Sequence, residues 1–127
     1  MDVSRTAGTQ TLVIISADQI RSLRQAAFER FVARMADHLR QTFPDQTAAS
    51  EPDRFRADVR AGIGIAMRYR LMRECDIEAY LNVLCASGCK LDQAPPQWAH
   101  EVLVDRDVPG GSIAAWLYRT YRNSLRE

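Results

Sequence analysis

The segment TLVIISADQI, residues 11–20, decides between a helical and a mixed fold. Its first five residues, Thr11 to Ile15, favour an extended conformation because β-branched side chains fit a pleated surface. The rest of the chain has almost no other strand pattern, and one strand cannot form a sheet alone. The sequence therefore predicts an all-α fold: a single-domain bundle of about five helices with a long first helix and a short extended N-terminal arm.

Helix-start signals follow this arm directly. Ser16 and Gln19 have the spacing of a capping box, and Ile15 and Ile20 have that of a hydrophobic staple. The first helix is expected from about Ala17 to Phe43, before Pro44. Its predicted buried stripe is Ile20, Leu23, Ala27, Phe31, Met35 and Leu39.

The second helix is predicted to begin at Ser50, with Pro52 in its first turn. Its predicted buried face is Phe55, Val59, Ile63 and Ala66. Gly62 and Gly64 lie inside this helix, where each glycine costs up to about 1 kcal/mol relative to alanine. Close approach of another helix is the expected compensation, and we predict that the first helix packs at this surface.

Three more helices are predicted along the rest of the chain. The third runs from about residue 73 to residue 86 and ends at Gly88, with a buried face of Ile77, Tyr80, Leu81, Leu84 and Cys85. A short fourth helix follows Pro95-Pro96 and reaches about Val104. After a loop at residues 107–111, the last helix begins at Ser112 and buries Ile113, Trp116, Leu117 and Tyr121. Residues 1–10 are expected to be a disordered lead and residues 11–127 one helical domain.

The composition is that of an ordinary globular protein, 46% hydrophobic and 26% charged. The net charge of +1 does not call for a nucleic-acid or membrane partner. The first residues lack the order of a signal peptide, and no apolar run is long enough for a membrane span, so a cytoplasmic location is expected. Three cysteines, an odd number, fit a reducing compartment.

The sequence predicts no catalytic residues, no metal and no cofactor, and hence no enzyme. Cys75, Cys85, Cys89 and His100 could supply four zinc ligands, but paired ligands in structural zinc sites favour two intervening residues, and Cys85 falls on an apolar stripe. His38 and His100 are the possible imidazole bases, and neither lies in a recognisable motif. The two glycines of the second helix are not followed by the Lys-Ser/Thr of a phosphate loop.

A basic stretch raises the alternative of nucleic-acid binding. It contains Arg54, Arg56, Arg60, Arg68, Arg70 and Arg73. Acidic residues are interleaved with it: Asp53, Asp58, Glu74, Asp76 and Glu78. Because the charges do not separate into a stripe, a solvated face of mixed charge is favoured over a nucleic-acid site.

Two regions offer more apolar surface than a small monomer readily buries. On the last helix, Tyr118 and Leu125 are seven residues apart on a face turned away from Trp116 and Leu117. In the N-terminal arm, Leu12 and Ile14 alternate to one side if extended and contact either the bundle or a second protein chain. The partner-binding candidates are Leu12, Ile14, Tyr118, Tyr121 and Leu125.

Four stretches carry a resemblance to a known family. They read Phe28-Glu29-Arg30-Phe31-x-x-Arg34-Met35-x-x-His38-Leu39-Arg40-x-x-Phe43-Pro44, Arg60-x-Gly62-Ile63-x-x-Ala66-x-x-Tyr69, Asp76-x-x-x-Tyr80-Leu81 and Trp98-Ala99. Over roughly residues 11–105 the chain resembles the small helical proteins of proteobacteria encoded among type VI secretion effectors, beside spike (VgrG), PAAR-tip and adaptor genes. The family commonly has Tyr-Gly-Ile where this chain has Tyr69-Arg70-Leu71, and an aromatic residue in a Gly-rich turn where this chain has Gly88-Cys89-Lys90-Leu91.

This resemblance implies a non-enzymatic accessory or co-adaptor that helps to load an effector. The implied partner is another protein, namely an effector, an effector adaptor or a PAAR/VgrG component, and a homodimer is possible. No nucleic acid and no membrane are expected as partners. The alternatives are an immunity protein that neutralises a cognate toxin and a nucleic-acid-binding regulator. The residues alone imply a helical binding module.

Overall fold

The computed structural model describes residues 17–105 and 113–125. Regular structure in these ranges is entirely helical, which confirms the all-α prediction. The helices are α1 (Ala17–Thr42), α2 (Pro44–Thr47), α3 (Pro52–Arg68), α4 (Glu74–Ala86), α5 (Gln97–Val104) and α6 (Ile113–Ser124). The five predicted helices are all present, and the one-turn helix α2 adds to them.

Several predicted features fall outside the described residues. They are the extended arm with Leu12 and Ile14, the capping box and hydrophobic staple at the start of α1, and the Ser112 cap of α6. None of the described helices is long and apolar enough to cross a membrane.

The chain divides into two compact units, residues 1–31 and residues 32–127. The described part of the first unit is the N-terminal portion of α1, in which residues 21–27 are exposed. Leu23 is 63% exposed, so the predicted buried stripe is wrong for Leu23 and Ala27. The reason is that the described residues of this unit form a single helix with no second element to cover it. Phe31, Met35 and Leu39, from the same stripe, are buried as predicted.

Helix α4 is the most buried helix of the second unit. It packs against α3 and α6, and α6 also packs against α5. The predicted face of α4 is confirmed, and Ala79 and Val83 extend the buried surface beyond it. A helix that is apolar on most sides is typical of a core position. Tyr80, Leu81 and Leu84 are fully buried, and they mark the centre of the core.

The start of α3 differs from the prediction by one residue. Phe55, Val59, Ile63 and Ala66 are buried as predicted. The N-cap, however, is Glu51, whose carboxylate oxygens accept hydrogen bonds at 3.3 Å from the backbone N–H groups of Asp53 and Arg54. The carbonyl oxygen of the predicted cap, Ser50, instead accepts a hydrogen bond from Arg40 Nη2 at 2.8 Å.

Gly62 lies at a close helix contact, although not with the predicted neighbour. A Cβ atom at Gly62 would lie 3.0 Å from Leu81 Cδ2 of α4 and 3.0 Å from the carbonyl oxygen of Leu91. The close approach is therefore confirmed, but the helix is α4 and not α1. At Gly64 a Cβ atom would meet nothing within 4 Å, so the packing prediction is wrong for Gly64.

Helix α4 ends in a Schellman motif at the predicted glycine. Gly88 adopts a φ of 75°. Its N–H donates to the carbonyl of Cys85 at 3.1 Å, and the N–H of Cys89 donates to the carbonyl of Leu84 at 2.9 Å. These two bonds satisfy carbonyl groups that the end of a helix leaves without intrahelical partners.

Helix α3 ends in the same motif without a glycine. Arg70 adopts a φ of 68°. Its N–H donates to the carbonyl of Met67 at 2.9 Å, and the N–H of Leu71 donates to the carbonyl of Ala66 at 3.2 Å. Left-handed backbone is costly for a residue with a Cβ atom, so an arginine occupies a position that favours glycine.

Candidate functional site

Helix α6 is anchored to the domain through one side. Ile113 and Leu117 are its buried residues, and they lie on one face because residues four apart in a helix are neighbours. Through this side α6 packs against α4 and α5. The other sides of the helix carry exposed residues that could contact another molecule.

The exposed half of the helix, away from this anchor, carries a row of side chains that winds around it. Trp116, Arg119, Arg122 and Leu125 follow one another at intervals of three residues, each turned about 60° around the helix axis from the one before, and all four are exposed. Leu125 lies in the turn just after the end of α6. Trp116 is 40% exposed and Leu125 67%. Tyr118, 39% exposed, borders the row. These five residues are called the outer face of α6 below.

Trp116 corrects the predicted orientation of the helix. It was expected in the core with Ile113, Leu117 and Tyr121, of which the first two are buried. Neighbouring residues of a helix point about 100° apart, so Trp116 is turned well away from Leu117. Tyr121 is half-buried, with its ring centroid 6.0 Å from that of Trp98.

Among the described residues, the positive charge of the outer face is not paired with a carboxylate. The described residues 113–125 include Arg119 and Arg122 and no acidic residue. The Arg119 guanidinium lies over the Trp116 ring, 5.6 Å from its centroid. Within the part of the chain that the structure describes, neither arginine forms an ion pair. Arg122 follows Tyr118 by four residues, so each arginine has an aromatic residue as a neighbour on the helix surface.

A chain of hydrogen bonds holds Tyr118 in place. Asn82 Nδ2 donates to Tyr118 Oη at 2.9 Å, and Asn82 Oδ1 lies 3.0 Å from His38 Nε2. Because an amide oxygen accepts, His38 must carry a proton on Nε2. Thr42 Oγ1 lies 3.5 Å from His38 Nδ1. The chain joins α1, α4 and α6, and it fixes the Tyr118 side chain although that side chain is exposed.

The structure thus brings together only part of the predicted set of partner-binding residues. Tyr118 and Leu125 share the outer face, whereas Tyr121 lies against Trp98. Leu12 and Ile14 lie outside the described residues. Sequence reasoning missed Trp116, Arg119 and Arg122 as members of the surface. Their spacing of three residues, continued by Leu125, was the signal that could have revealed them.

A cavity of about 300 Å³ lies between the start of α3 and the turn after α4. Its lining includes Cys85 and Cys89, and also Arg54, which forms an ion pair with Asp58 at 3.2 Å. Burial raises the pKa of the Cys85 thiol to about 11. A protonated thiol is a poor nucleophile and a poor metal ligand, so Cys85 acts as a core residue.

A second cavity, of about 430 Å³, lies at the end of α3. It is lined by Ile65, Arg68, Tyr69, Asp92, Ala94 and Pro95. Tyr69 Oη lies 2.8 Å from His100 Nδ1, and the two rings meet edge to face. The pair joins α5 to the end of α3.

The remaining titratable groups of the described residues differ in their burial and in their hydrogen-bond partners. In residues 17–105 and 113–125, no group of three or more His, Cys, Asp or Glu side chains is placed to hold a metal ion. The Tyr80 hydroxyl is buried and has no hydrogen-bond partner among the described residues, and burial raises its pKa. In the basic stretch, Arg73 Nε donates to Asp76 Oδ2 at 2.9 Å, so acidic neighbours neutralise part of the charge there.

No family model matches the chain, and the comparisons with curated proteins and with solved structures find no significant match. The chemistry of the side chains on the outer face of α6 is therefore the basis for a functional assignment. The strongest candidate for a recognition surface consists of two exposed aromatic rings, one exposed leucine and two guanidinium groups that form no ion pair with any described residue.

Proposed function

We propose that the protein is a non-enzymatic protein-binding accessory that docks its partner on the outer face of α6. One observation carries this proposal: Trp116 and Tyr118 are exposed beside Arg119 and Arg122, which form no ion pair within the described residues. Tryptophan, tyrosine and arginine are the residues enriched in the energetic hot spots of protein interfaces. The same helix is already anchored on its other side, so docking needs no rearrangement of the core.

The hydrogen bonds of Tyr118 support docking on thermodynamic grounds. Binding a partner usually costs free energy, because side chains at the interface lose rotamer freedom. Asn82 and His38 already restrict the Tyr118 ring in the free protein. The Arg119 guanidinium is restricted in a similar way by its contact with the Trp116 ring. The loss of side-chain entropy on binding is therefore smaller, because these two side chains are already restricted in the free protein.

The partner is a different protein and not a second copy of this chain. Two identical outer faces in contact would place Arg119 and Arg122 of one copy close to the same cations of the other. Such a contact between like charges, with no acidic residue among the described residues 113–125, opposes self-association.

The resemblance to accessory proteins of type VI secretion effector clusters suggests the class of partner and the compartment. On that basis the partner is an effector, an effector adaptor or a PAAR/VgrG component, and the role is effector loading in the cytoplasm. The resemblance ends near residue 105, before α6 begins. The outer face is therefore suited to select the partner that is particular to this chain.

Direct binding to proteins encoded beside this chain tests the proposal. Each candidate effector, adaptor and tip protein is titrated with the full chain and with Trp116→Ala. A hot-spot loss of about 2 kcal/mol corresponds to roughly 30-fold weaker binding by Trp116→Ala. Met72→Ala is the matched control, since Met72 is a large apolar side chain, 67% exposed, outside α6. Equal affinities of Trp116→Ala and the unmodified chain would overturn the proposal.

A further inference from the structure

We infer that the partner segment recognised by the outer face of α6 is acidic and apolar, with two carboxylates flanked by aliphatic or aromatic side chains. The inference rests on the proposed function of this face and adds the chemistry of its ligand. Arg119 and Arg122 lie at the centre of this face, with Trp116 beside Arg119 and Tyr118 one helical turn before Arg122.

The contrast with arginines elsewhere shows what is missing on α6. Arg54 pairs with Asp58, four residues later, and Arg73 pairs with Asp76, three residues later. Arg119 and Arg122 also have residues three and four positions away, but none of these within the described part of the chain is acidic. Within the described residues the carboxylates that would complete the pattern are missing, and we assign them to the partner segment.

The spacing of the two arginines defines the spacing of the carboxylates. Residues three apart on a helix have Cβ atoms about 5–6 Å apart. Two carboxylates three or four residues apart on a helical partner have the same separation. Trp116 borders Arg119, and Tyr118 is the helix neighbour of Arg122 four residues later, so apolar side chains of the partner beside its two carboxylates would cover these two rings.

The contact between Arg119 and Trp116 strengthens carboxylate recognition. A guanidinium held over an indole ring still presents the N–H donors along its edge to a bidentate carboxylate. The ring also excludes water from one side of the cation. An ion pair formed there is less screened than one between two freely solvated side chains.

Two other anionic ligands fit the face less well. The affinity of a protein for nucleic acid grows with the number of phosphates that its cations neutralise, and anionic membranes attract clusters of about four to eight cations. The described residues of α6 supply two cations on the outer face. Two cations beside two aromatic rings are better matched by a short acidic peptide segment.

Selection from a displayed library of random peptides, against the full chain, tests the inference. Selected peptides are synthesised and titrated with the unmodified chain, Arg119→Gln/Arg122→Gln and Trp116→Ala. We expect peptides with two Asp or Glu residues three or four apart beside apolar residues. The Gln variant should bind them at least about tenfold more weakly, as should the unmodified chain when NaCl rises from about 0.05 to 0.5 M.

A charge swap provides the positive arm of the test. Arg119→Glu/Arg122→Glu should lose the acidic peptides and bind the same peptides with their acidic residues replaced by lysine. All of the substituted residues are exposed, and the melting temperature of each variant checks that the fold is retained. If Arg119→Glu/Arg122→Glu keeps its fold but does not bind the lysine-substituted peptides, pairing between these charges is contradicted.

The outcomes separate the inference from the proposed function. The inference would be overturned, and the proposed function would stand, if the selected peptides lose affinity for Trp116→Ala but are not enriched in Asp or Glu. Such peptides would bind Arg119→Gln/Arg122→Gln with the same affinity as the unmodified chain. A selection that yields no peptide dependent on Trp116 or on the two arginines would overturn both. Phosphatidylglycerol vesicles and a DNA duplex are titrated in parallel. Binding to either that requires Arg119 and Arg122, without acidic peptides, would also overturn the inference.

Discussion

Gly62 and Gly64 lie two residues apart on α3 and have opposite surroundings. Gly62 is buried, with Leu81 and the carbonyl of Leu91 at the distance where a Cβ atom would clash. Gly64 is half-buried, and a Cβ atom there would meet no neighbour within 4 Å. The comparison teaches that a glycine inside a helix is required only where another element occupies the space of its missing side chain.

The two Schellman motifs extend this contrast to backbone conformation. Gly88 and Arg70 occupy equivalent positions with nearly equal φ angles, 75° and 68°. At Gly88 a side chain would have free space, so the benefit of glycine there comes from the backbone alone. Arg70 adopts the same conformation without that benefit. Four substitutions measure these differences.

The largest effect is expected from Gly62→Leu. The new side chain would collide with Leu81 and with a backbone carbonyl that cannot rotate away, so the free energy of unfolding should fall by about 3 kcal/mol. Denaturant-induced unfolding followed by circular dichroism measures this loss. Gly64→Leu is the matched control and should change stability by less than about 1 kcal/mol. Equal losses for the two variants would remove the close-packing argument.

Gly88→Ala is expected to have the next largest effect. Alanine in the left-handed region costs about 1–2 kcal/mol, and no neighbouring atom adds to this cost. The midpoint of denaturation should fall accordingly, with an unchanged slope. A loss much larger than this range would show that Gly88 has a packing role in addition.

Gly64→Ala should stabilise the protein. Alanine is preferred over glycine in a helix interior by about 0.5–1 kcal/mol, and the position has room for the methyl group. The expected result is a rise in the melting temperature of a few degrees. A fall in melting temperature would mean that Gly64 has a contact that its surroundings do not reveal.

The smallest effect, a gain of about 0.5 kcal/mol, is expected from Arg70→Gly. Glycine removes the cost of the left-handed conformation, while the greater freedom of the unfolded chain offsets part of the gain. Differential scanning calorimetry measures the stability of Arg70→Gly, and Arg68→Gly is the control variant. Arg68 lies in the helical part of α3, so glycine there should destabilise the protein. A loss in both variants would contradict the assigned strain at Arg70.

Much of the fold was predictable because it depends on local spacing. The buried faces of α3 and α4 repeat every three or four residues, and Gly88 marks its helix end by its own conformational preference. The neighbour of Gly62 was not predictable in this way. Which helix approaches a glycine depends on the packing of distant segments, and both Leu81 and Leu91 come later in the chain.

The candidate site was predictable only in outline. The spacing of Tyr118 and Leu125 indicated a second apolar side on the last helix, and the structure exposes both residues. The error at Trp116 arose because an aromatic residue next to Leu117 was assigned to the core. The hydrogen bonds of Asn82 to His38 and Tyr118 span 44 and 36 residues of sequence, and no local pattern signals contacts of that range.

The contact between Arg119 and Trp116 also provides an intrinsic fluorescence signal for binding at this face. Trp98 is half-buried beside Tyr121, whereas the indole of Trp116 is open to solvent under a cationic group. Iodide, an anion, is attracted to such an indole, and caesium is repelled, so the two quenchers should reduce its fluorescence unequally. A ligand that covers the outer face of α6 would abolish this inequality, which permits occupancy to be followed without any label.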